Sequence, residues 1–164
     1  MTSPSRPGIR VSIPNGPSLD LRHLVLDLNG TLALDGGLLE GVAEALADLC
    51  SALDVRIITA DTFGTAAALA DLPGLTVVRL PPGAAGGEAK AEAVRSLGAG
   101  HTAAMGNGVN DVPMLKAAAL AIAVLGPEGA APAAMEAATV VVRHPLEGLD
   151  LLRNPLRLRA TLRP

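Results

Sequence analysis

Four short stretches of this chain carry side chains that could do chemistry together. In "LVLDLNGTLA" an apolar run ends in a carboxylate, Asp27, followed by Asn29, Gly30 and Thr31. In "DVRIITA" another apolar run ends at Thr59, with Asp61 just beyond. "GGEAKAEAV" places Lys90 in a helical pattern, and "AAMGNGVND" delivers Asn107, Asn110 and Asp111 after a third apolar run. A carboxylate at the tip of a strand can attack phosphorus and form an acyl phosphate. The phosphoryl oxygens then need positive charge and donors, which the Lys90 ammonium, the Thr59 hydroxyl and the loop amides near Asn29 and Gly30 supply. Carboxylate and amide oxygens suit Mg²⁺, a hard cation that prefers oxygen ligands. That cation and the lysine would both favour an ionised Asp27, and Gly30 would let the backbone turn sharply beside a phosphate.

Each group also has an ordinary structural use. Asp, Asn and Gly favour turns, a threonine can simply end a strand, a helical lysine is commonly solvated, and Asn110 or Asp111 would serve as a helix N-cap. Their order is what sets them apart, because reactive groups follow successive strand ends.

The elements that must position these groups alternate along the chain. After a strand, a turn at Pro14-Asn15-Gly16-Pro17 and a second extended segment, the run "HLVLDL" reads as a strand buried on both faces. Leu39, Val42, Leu46, Leu49 and Leu53 follow a helical period. A strand then ends at Thr59, a short Ala-rich helix stops at Pro73-Gly74, "LTVVRL" is a strand, and "EAKAEAVRSLG" is a helix. "HTAAMG", "LAIAVLG" and "TVVVR" read as further strands separated by the helices "NDVPMLKAAA" and "APAAMEAA", and helical segments close the chain. This alternation predicts an α/β fold, a three-layer doubly wound and mainly parallel sheet, whose reactive groups gather at the carboxyl ends of the strands. The expectation is one domain over residues 1–164, with residues 1–8 mobile and the N-terminal β segment extending the sheet.

Composition narrows the function classes. Of the 164 residues 49% are hydrophobic but only 1% aromatic, so the core is built from Leu, Val, Ile and Ala. One Phe and no Trp or Tyr argue against stacking single-stranded bases, and the basic "RNPLRLRATLRP" reads as a solvated helix, so no nucleic-acid partner is expected. The single cysteine, Cys50, lies in an apolar helical pattern and reads as a core residue in a reducing compartment. His23, His101 and His144 match no metal spacing. "AAALAIAVLG" falls short of the roughly 20 residues a membrane span needs, and "MTSPSRPGIR" lacks a signal peptide's apolar core. The expected location is cytoplasmic, with no membrane partner.

With these residues in place, "LVLDLNGTLA", "IITADTFGT", Lys90 in "GGEAKAEAV" and "AAMGNGVNDVPMLKAAALAIAV" resemble the four motifs of the haloacid dehalogenase (HAD) superfamily, whose fold is a Rossmann-like α/β sheet. The closest flavour is the phosphorylation domain of P-type ATPases, in the manner of small, capless, soluble P-type-ATPase-like HAD proteins. The resemblance runs over about residues 24–142. It implies a Mg²⁺-dependent, phosphatase-like hydrolase in which Asp27 is the nucleophile and a metal ligand, and the Asn29 carbonyl is a second ligand. By the same resemblance Thr31 braces the motif loop, Asn29, Gly30, Thr59, Ala60 and Lys90 bind the phosphoryl group, and Asp61 lies nearby. Asn107 and Asp111 complete the metal site, with Asn110 in support.

Two positions depart from the family pattern. Asn29 stands where HAD phosphatases place the aspartate that acts as general acid and base, and an amide cannot carry that proton. Asn107 stands where the family has a metal-binding aspartate, so the site holds less negative charge. Residues 35–53 and 65–87 leave no room for a cap domain, so the crevice is expected to be open, receiving a phosphorylated small molecule or macromolecule, or covered by a second copy in a homo-oligomer. No nucleotide-binding insertion or transport segment is present, so ion pumping is not expected. Two other activities fit parts of the pattern. Asn29 and Asn107 suit a regulatory or binding module that accepts a phosphoryl group with little turnover. Dehalogenation of a small acid also uses an aspartate nucleophile, but the metal-and-lysine constellation speaks against it.

Overall fold

The computed structural model describes residues 5–60 and 64–164; Asp61 lies outside the described residues. The chain opens with an antiparallel ribbon of β1 (Ile9–Val11) and β2 (Leu19–Leu21), in which Ile9 pairs with Leu21. β3 (His23–Leu26) follows after one residue, then a hairpin of β4 (Ala33–Leu34) and β5 (Gly37–Leu38). The rest alternates: α1 (Val42–Cys50), β6 (Asp54–Thr59), α2 (Thr65–Leu69), β7 (Leu75–Arg79), α3 (Gly86–Gly98), β8 (Thr102–Gly106), α4 (Val112–Ala117), β9 (Leu120–Val124), α5 (Pro132–Ala137), β10 (Val140–Val142), α6 (Pro145–Arg153) and α7 (Pro155–Leu162).

Six strands form one sheet in the order β10-β9-β8-β3-β6-β7, and every pairing is parallel. From β3 the chain builds outward through β6 and β7, then crosses back to β8 on the other side of β3. The topological switch point therefore falls between β3 and β8, and a crevice opens beyond their carboxyl ends. Among the described residues no second domain is inserted into this fold.

Side chains alternate across the sheet as the pleat demands. Leu24, Leu26, Val55, Ile57, Met105, Ile122 and Val124 face one layer, where they pack with Leu46 and Leu49 of α1 and Leu149 and Leu152 of α6. Val25, Ile58, Ala104 and Ala121 face the other, against Val94 of α3, Met114 and Leu115 of α4 and Ala134 of α5. Leucine shape does here what aromatic bulk does in other cores. Cys50 is buried on the inward face of α1, and burial raises its thiol pKa, as expected of a packing residue.

The N-terminal ribbon does not extend the main sheet. It pairs only within itself, and the last links to the sheet are made at Arg22, whose N–H donates to His101 O (2.8 Å) and whose carbonyl accepts from Asp54 N (3.0 Å). Before that point the chain leaves the sheet, because Ile9, Val11 and Ile13 find their burial in the layer that holds Leu158 of α7. Of residues 1–8, Arg6 donates to Gly74 O and pairs with Asp54, and Gly8 N donates to Ala52 O.

The β4–β5 hairpin was not expected from the hydrophobic pattern, because each strand has only two residues. Its signal is the Asp35-Gly36 pair, the turn chemistry of a two-residue hairpin. Its tip is tied down by the Thr65 hydroxyl, which donates to Gly36 O at 2.7 Å.

Leu26 is fully buried at the last paired position before Asp27. Leu26→Ala is expected to lower stability by about 2–5 kcal/mol in urea denaturation, through lost burial plus the cavity left behind.

Candidate active site

The backbone of Asp27 continues the β3–β8 ladder one residue past the strand, its N–H donating to Met105 O at 3.0 Å. The chain then winds tightly: Leu28 O accepts from the N–H groups of Thr31, Leu32 and Ala33 (2.8–3.2 Å). That winding needs Gly30 at φ +78°, a left-handed conformation that other residues rarely adopt. The result is a carboxylate held at the mouth of the switch point, 7% exposed.

Asp27 meets Lys90 there. The ammonium, carried on α3, is 2% exposed and donates to Asp27 Oδ1 at 2.6 Å and to Asp111 Oδ1 at 2.7 Å. Burial alone would lower the Lys90 pKa, but the two carboxylates outweigh it and hold the ammonium above the ordinary lysine range. Burial, and then the nearby Asp111 carboxylate, push the Asp27 carboxyl up from its usual range, against the pull of Lys90 and Thr31.

Asp111 is fully buried and does not line the cavity. While Oδ1 meets Lys90, Oδ2 accepts from the N–H groups of Asn107 and Gly108, both at 3.0 Å. Its approach depends on Gly106, where any Cβ would collide with the Asp111 side chain. Its carboxylate shapes the loop after β8 and grips Lys90, so both of its oxygens are engaged by the protein.

Asn107 faces the crevice in a fixed orientation. Its Nδ2 donates to Gly129 O at 3.1 Å, and a carbonyl can only accept, so Oδ1 is turned toward Thr31. The Thr31 hydroxyl lies 3.1 Å from both Asn107 Oδ1 and Asp27 Oδ2. Its single proton can serve one of them at a time, so Thr31 couples the two loops.

Asp27, Asn29, Thr59, Ala60, Lys90, Asn107 and Asn110 line one cavity of about 270 Å³, together with Leu80, Gly86, Gly108 and Glu128. Thr59 is buried at the end of β6, whereas Ala60 and Asn110 are exposed at the rim. Asn29 Oδ1 is buried with no hydrogen-bond partner among the described residues. Glu128, in the turn after β9, was missed from sequence. Its only local signal is a Gly-Pro-Glu-Gly turn following a buried strand.

A buried carboxylate paired with a lysine, set among amide oxygens at an open strand-end crevice, is suited to nucleophilic attack on an electrophile that becomes more negative. Comparisons with known proteins give the chain's family and fold. The family model for haloacid dehalogenase-like hydrolases matches residues 8–119. An uncharacterized protein of Methanocaldococcus jannaschii is 47% identical over 60 residues, 37% of this chain; the match spans 64% of that relative's length. Among solved structures, phosphoserine phosphatase in its apo form superposes with a TM-score of 0.64 at 17% identity, over 81% of this chain and 100% of that one. The 3-deoxy-D-manno-octulosonate 8-phosphate phosphatase of Moraxella catarrhalis, holding magnesium, phosphate and sugar, gives 0.62 at 18% identity over 87% of this chain and 94% of that one. A zinc-transporting PIB-type ATPase gives 0.58 at 31% identity, over 76% of this chain but 20% of that one.

Lys90→Met leaves Asp27 and Asp111 buried without a counter-charge. It is expected to cost about 3–5 kcal/mol of stability at neutral pH in metal-free urea denaturation. The raised Asp27 pKa sets the sign: as pH falls and Asp27 takes up a proton, the deficit should shrink.

Proposed function

Because the chain belongs to the haloacid dehalogenase-like hydrolases, we propose that it is a Mg²⁺-dependent phosphomonoester hydrolase working through an aspartyl phosphate on Asp27. The observation that carries this reading is the Asp27–Lys90–Asp111 cluster at the strand-end crevice, with Asp27 opening into a polar cavity.

The donors present fit Mg²⁺. Among the described residues no three His, Cys, Asp or Glu side chains form a metal cage, but Mg²⁺ commonly takes one or two carboxylates and fills its shell with water and substrate oxygens. The Asp27 carboxylate, the Asn29 main-chain carbonyl and Asn107 Oδ1 are the oxygens that would hold it. The orphaned Asn29 Oδ1 is consistent with a polar occupant, because a buried acceptor without a partner is costly. When bound, the cation would draw negative charge from the phosphoryl oxygens.

The chain's own residues do the rest. An Asp27 carboxylate oxygen bonds to phosphorus as the bond to the leaving oxygen breaks, Lys90 offsets the charge that builds on the transferred group, and water then cleaves the acyl phosphate to free Asp27 and release phosphate. Thr59 and the loop amides at Asn29 and Ala60 orient the phosphoryl oxygens, whereas the Gly30 N–H, expected to join them, is spent on Ala33 O at 2.8 Å. Thr31 keeps the Asp27 carboxylate in register with Asn107. Asn29 can hydrogen-bond a leaving oxygen but cannot protonate it, so hydrolysis is slow for poor leaving groups. The β4–β5 hairpin is the small element following the motif loop and leaves the crevice open to a phosphorylated small molecule, a macromolecule or the surface of a second copy.

One observation favours a second reading. With an amide at residue 29, the phosphoenzyme lacks a base for water at that position. The chain would then act as a phosphoryl-accepting regulatory or binding module.

Phosphate release from an activated aryl phosphate separates the readings, because a good leaving group needs little acid help. Wild type should turn over only with Mg²⁺, and Asp27→Asn should be silent; an active Asp27→Asn would sink the mechanism. With an alkyl phosphate, Asn29→Asp should raise turnover by about 10²–10⁴-fold. Turnover in Asn29→Asp alone, with wild type silent on both substrates, would favour the phosphoryl-accepting module.

A further inference from the structure

Glu128 has no role in the mechanism above, yet it lines the same cavity as Asp27, Asn29 and Asn107. It is exposed, and among the described residues its carboxylate has no hydrogen-bond or ion-pair partner. The turn that carries it is nonetheless tied down beside the motif loop. A Cβ on Gly30 would run into Glu128 Oε2, and that same point lies 3.0 Å from Asn107 Nδ2. The Glu128 carboxylate therefore lies against the motif loop at Gly30 and beside the Asn107 amide.

Asn107 holds the segment there from both ends of its own structure. Its Nδ2 donates to Gly129 O at 3.1 Å, and its main-chain carbonyl accepts from Ala131 N at 2.8 Å. The first bond requires an amide, since an ionised carboxylate has no proton to give a carbonyl. An aspartate at 107 would carry charge but lose this tether. The amide lacks charge and positions a residue that has it.

The charge balance gives this arrangement a use. Asp27, Asp111 and Lys90 together carry one net negative charge, which falls short of a divalent cation. Glu128 brings the total to two.

Resting on the Mg²⁺ reading above, we infer that Glu128 is the second anionic group of the cation site and that Asn107 is the residue that positions it. The negative charge that residue 107 lacks is delivered from the turn after β9.

Mg²⁺ alone, titrated into the substrate-free chain by calorimetry, tests this without relying on activity. Glu128→Gln should weaken Mg²⁺ binding by about tenfold or more, as expected when a site loses a ligand charge. Asn107→Asp combined with Glu128→Gln should return the affinity to within about threefold of wild type, because the charge is restored at the neighbouring position. Thermal melts in metal-free buffer should show Glu128→Gln melting as wild type does, since the side chain is exposed. Equal Mg²⁺ affinity in wild type and Glu128→Gln would overturn the assignment and leave the metal-dependent hydrolase reading standing. A weakened Glu128→Gln that the added aspartate does not rescue would overturn the exchange of charge between residues 107 and 128. A wild type that takes up no Mg²⁺ would sink both this inference and the metal-dependent reading beneath it.

Discussion

The buried Lys90 ammonium is the interaction around which the site is arranged. It stands between Asp27 and Asp111 at 2.6 and 2.7 Å, almost closed to solvent. Each of the three charges alone would be expensive in that place, because burial removes its hydration. Together they are tolerable, and the tolerance is geometric. The motif loop after β3, the loop after β8 and α3 must meet at one point, or a charge is left unpaired. A sheet whose switch point lies between β3 and β8 makes this meeting possible. The same pairing keeps a carboxylate poised at the crevice with an adjoining cation for developing negative charge.

Around that cluster, division of labour among the polar residues follows from which atoms remain free. Asp111 uses both oxygens on Lys90 and on main-chain amides, so it shapes the site without facing it. Thr31 joins Asp27 to Asn107 through one shared proton. Asn107 contributes an oxygen to the Thr31 side and a donor to the turn after β9. Gly106 makes the crowding possible by admitting the Asp111 side chain, and the Glu128 carboxylate lies against Gly30. Two amides in place of acids, Asn29 and Asn107, thus have unequal consequences. At 29 the amide removes proton transfer from its position, whereas at 107 it adds a tether that a carboxylate could not form.

The openness of the crevice follows from the same economy of structure. Between β3 and α1 the described chain carries one small hairpin, pinned through Thr65 to the start of α2. Beside the cavity at Asp27, a second hollow of about 530 Å³ shares Ala60, Leu80, Gly86 and Asn110 with it and runs along Pro81, Pro82 and Gly83. Among the described residues no charged side chain lines that hollow. Among the described residues no helix is long and apolar enough to cross a membrane.

Much of the fold was legible along the chain because it is written in local periodicity. Short apolar runs mark the strands that carry Asp27 and Thr59, and the helical spacing of Leu46 and Leu49 marks α1. The hairpin at Asp35-Gly36 escaped because two-residue strands have no period to detect. The pattern of the N-terminal ribbon shows that Ile9 and Val11 need burial but not where they find it, so it does not separate a sheet extension from a ribbon that pairs within itself. Alone, the sequence determined which chemical groups stand at the strand ends, since turn chemistry and alternation are properties of neighbouring residues. Only the tertiary structure decided which groups meet. Lys90 lies 63 residues from Asp27 and 21 from Asp111, and the turn bearing Glu128 reaches Gly30 across the chain. Such contacts depend on strand order and on hydrogen bonds between distant loops, and a one-dimensional pattern of apolar faces leaves both unspecified.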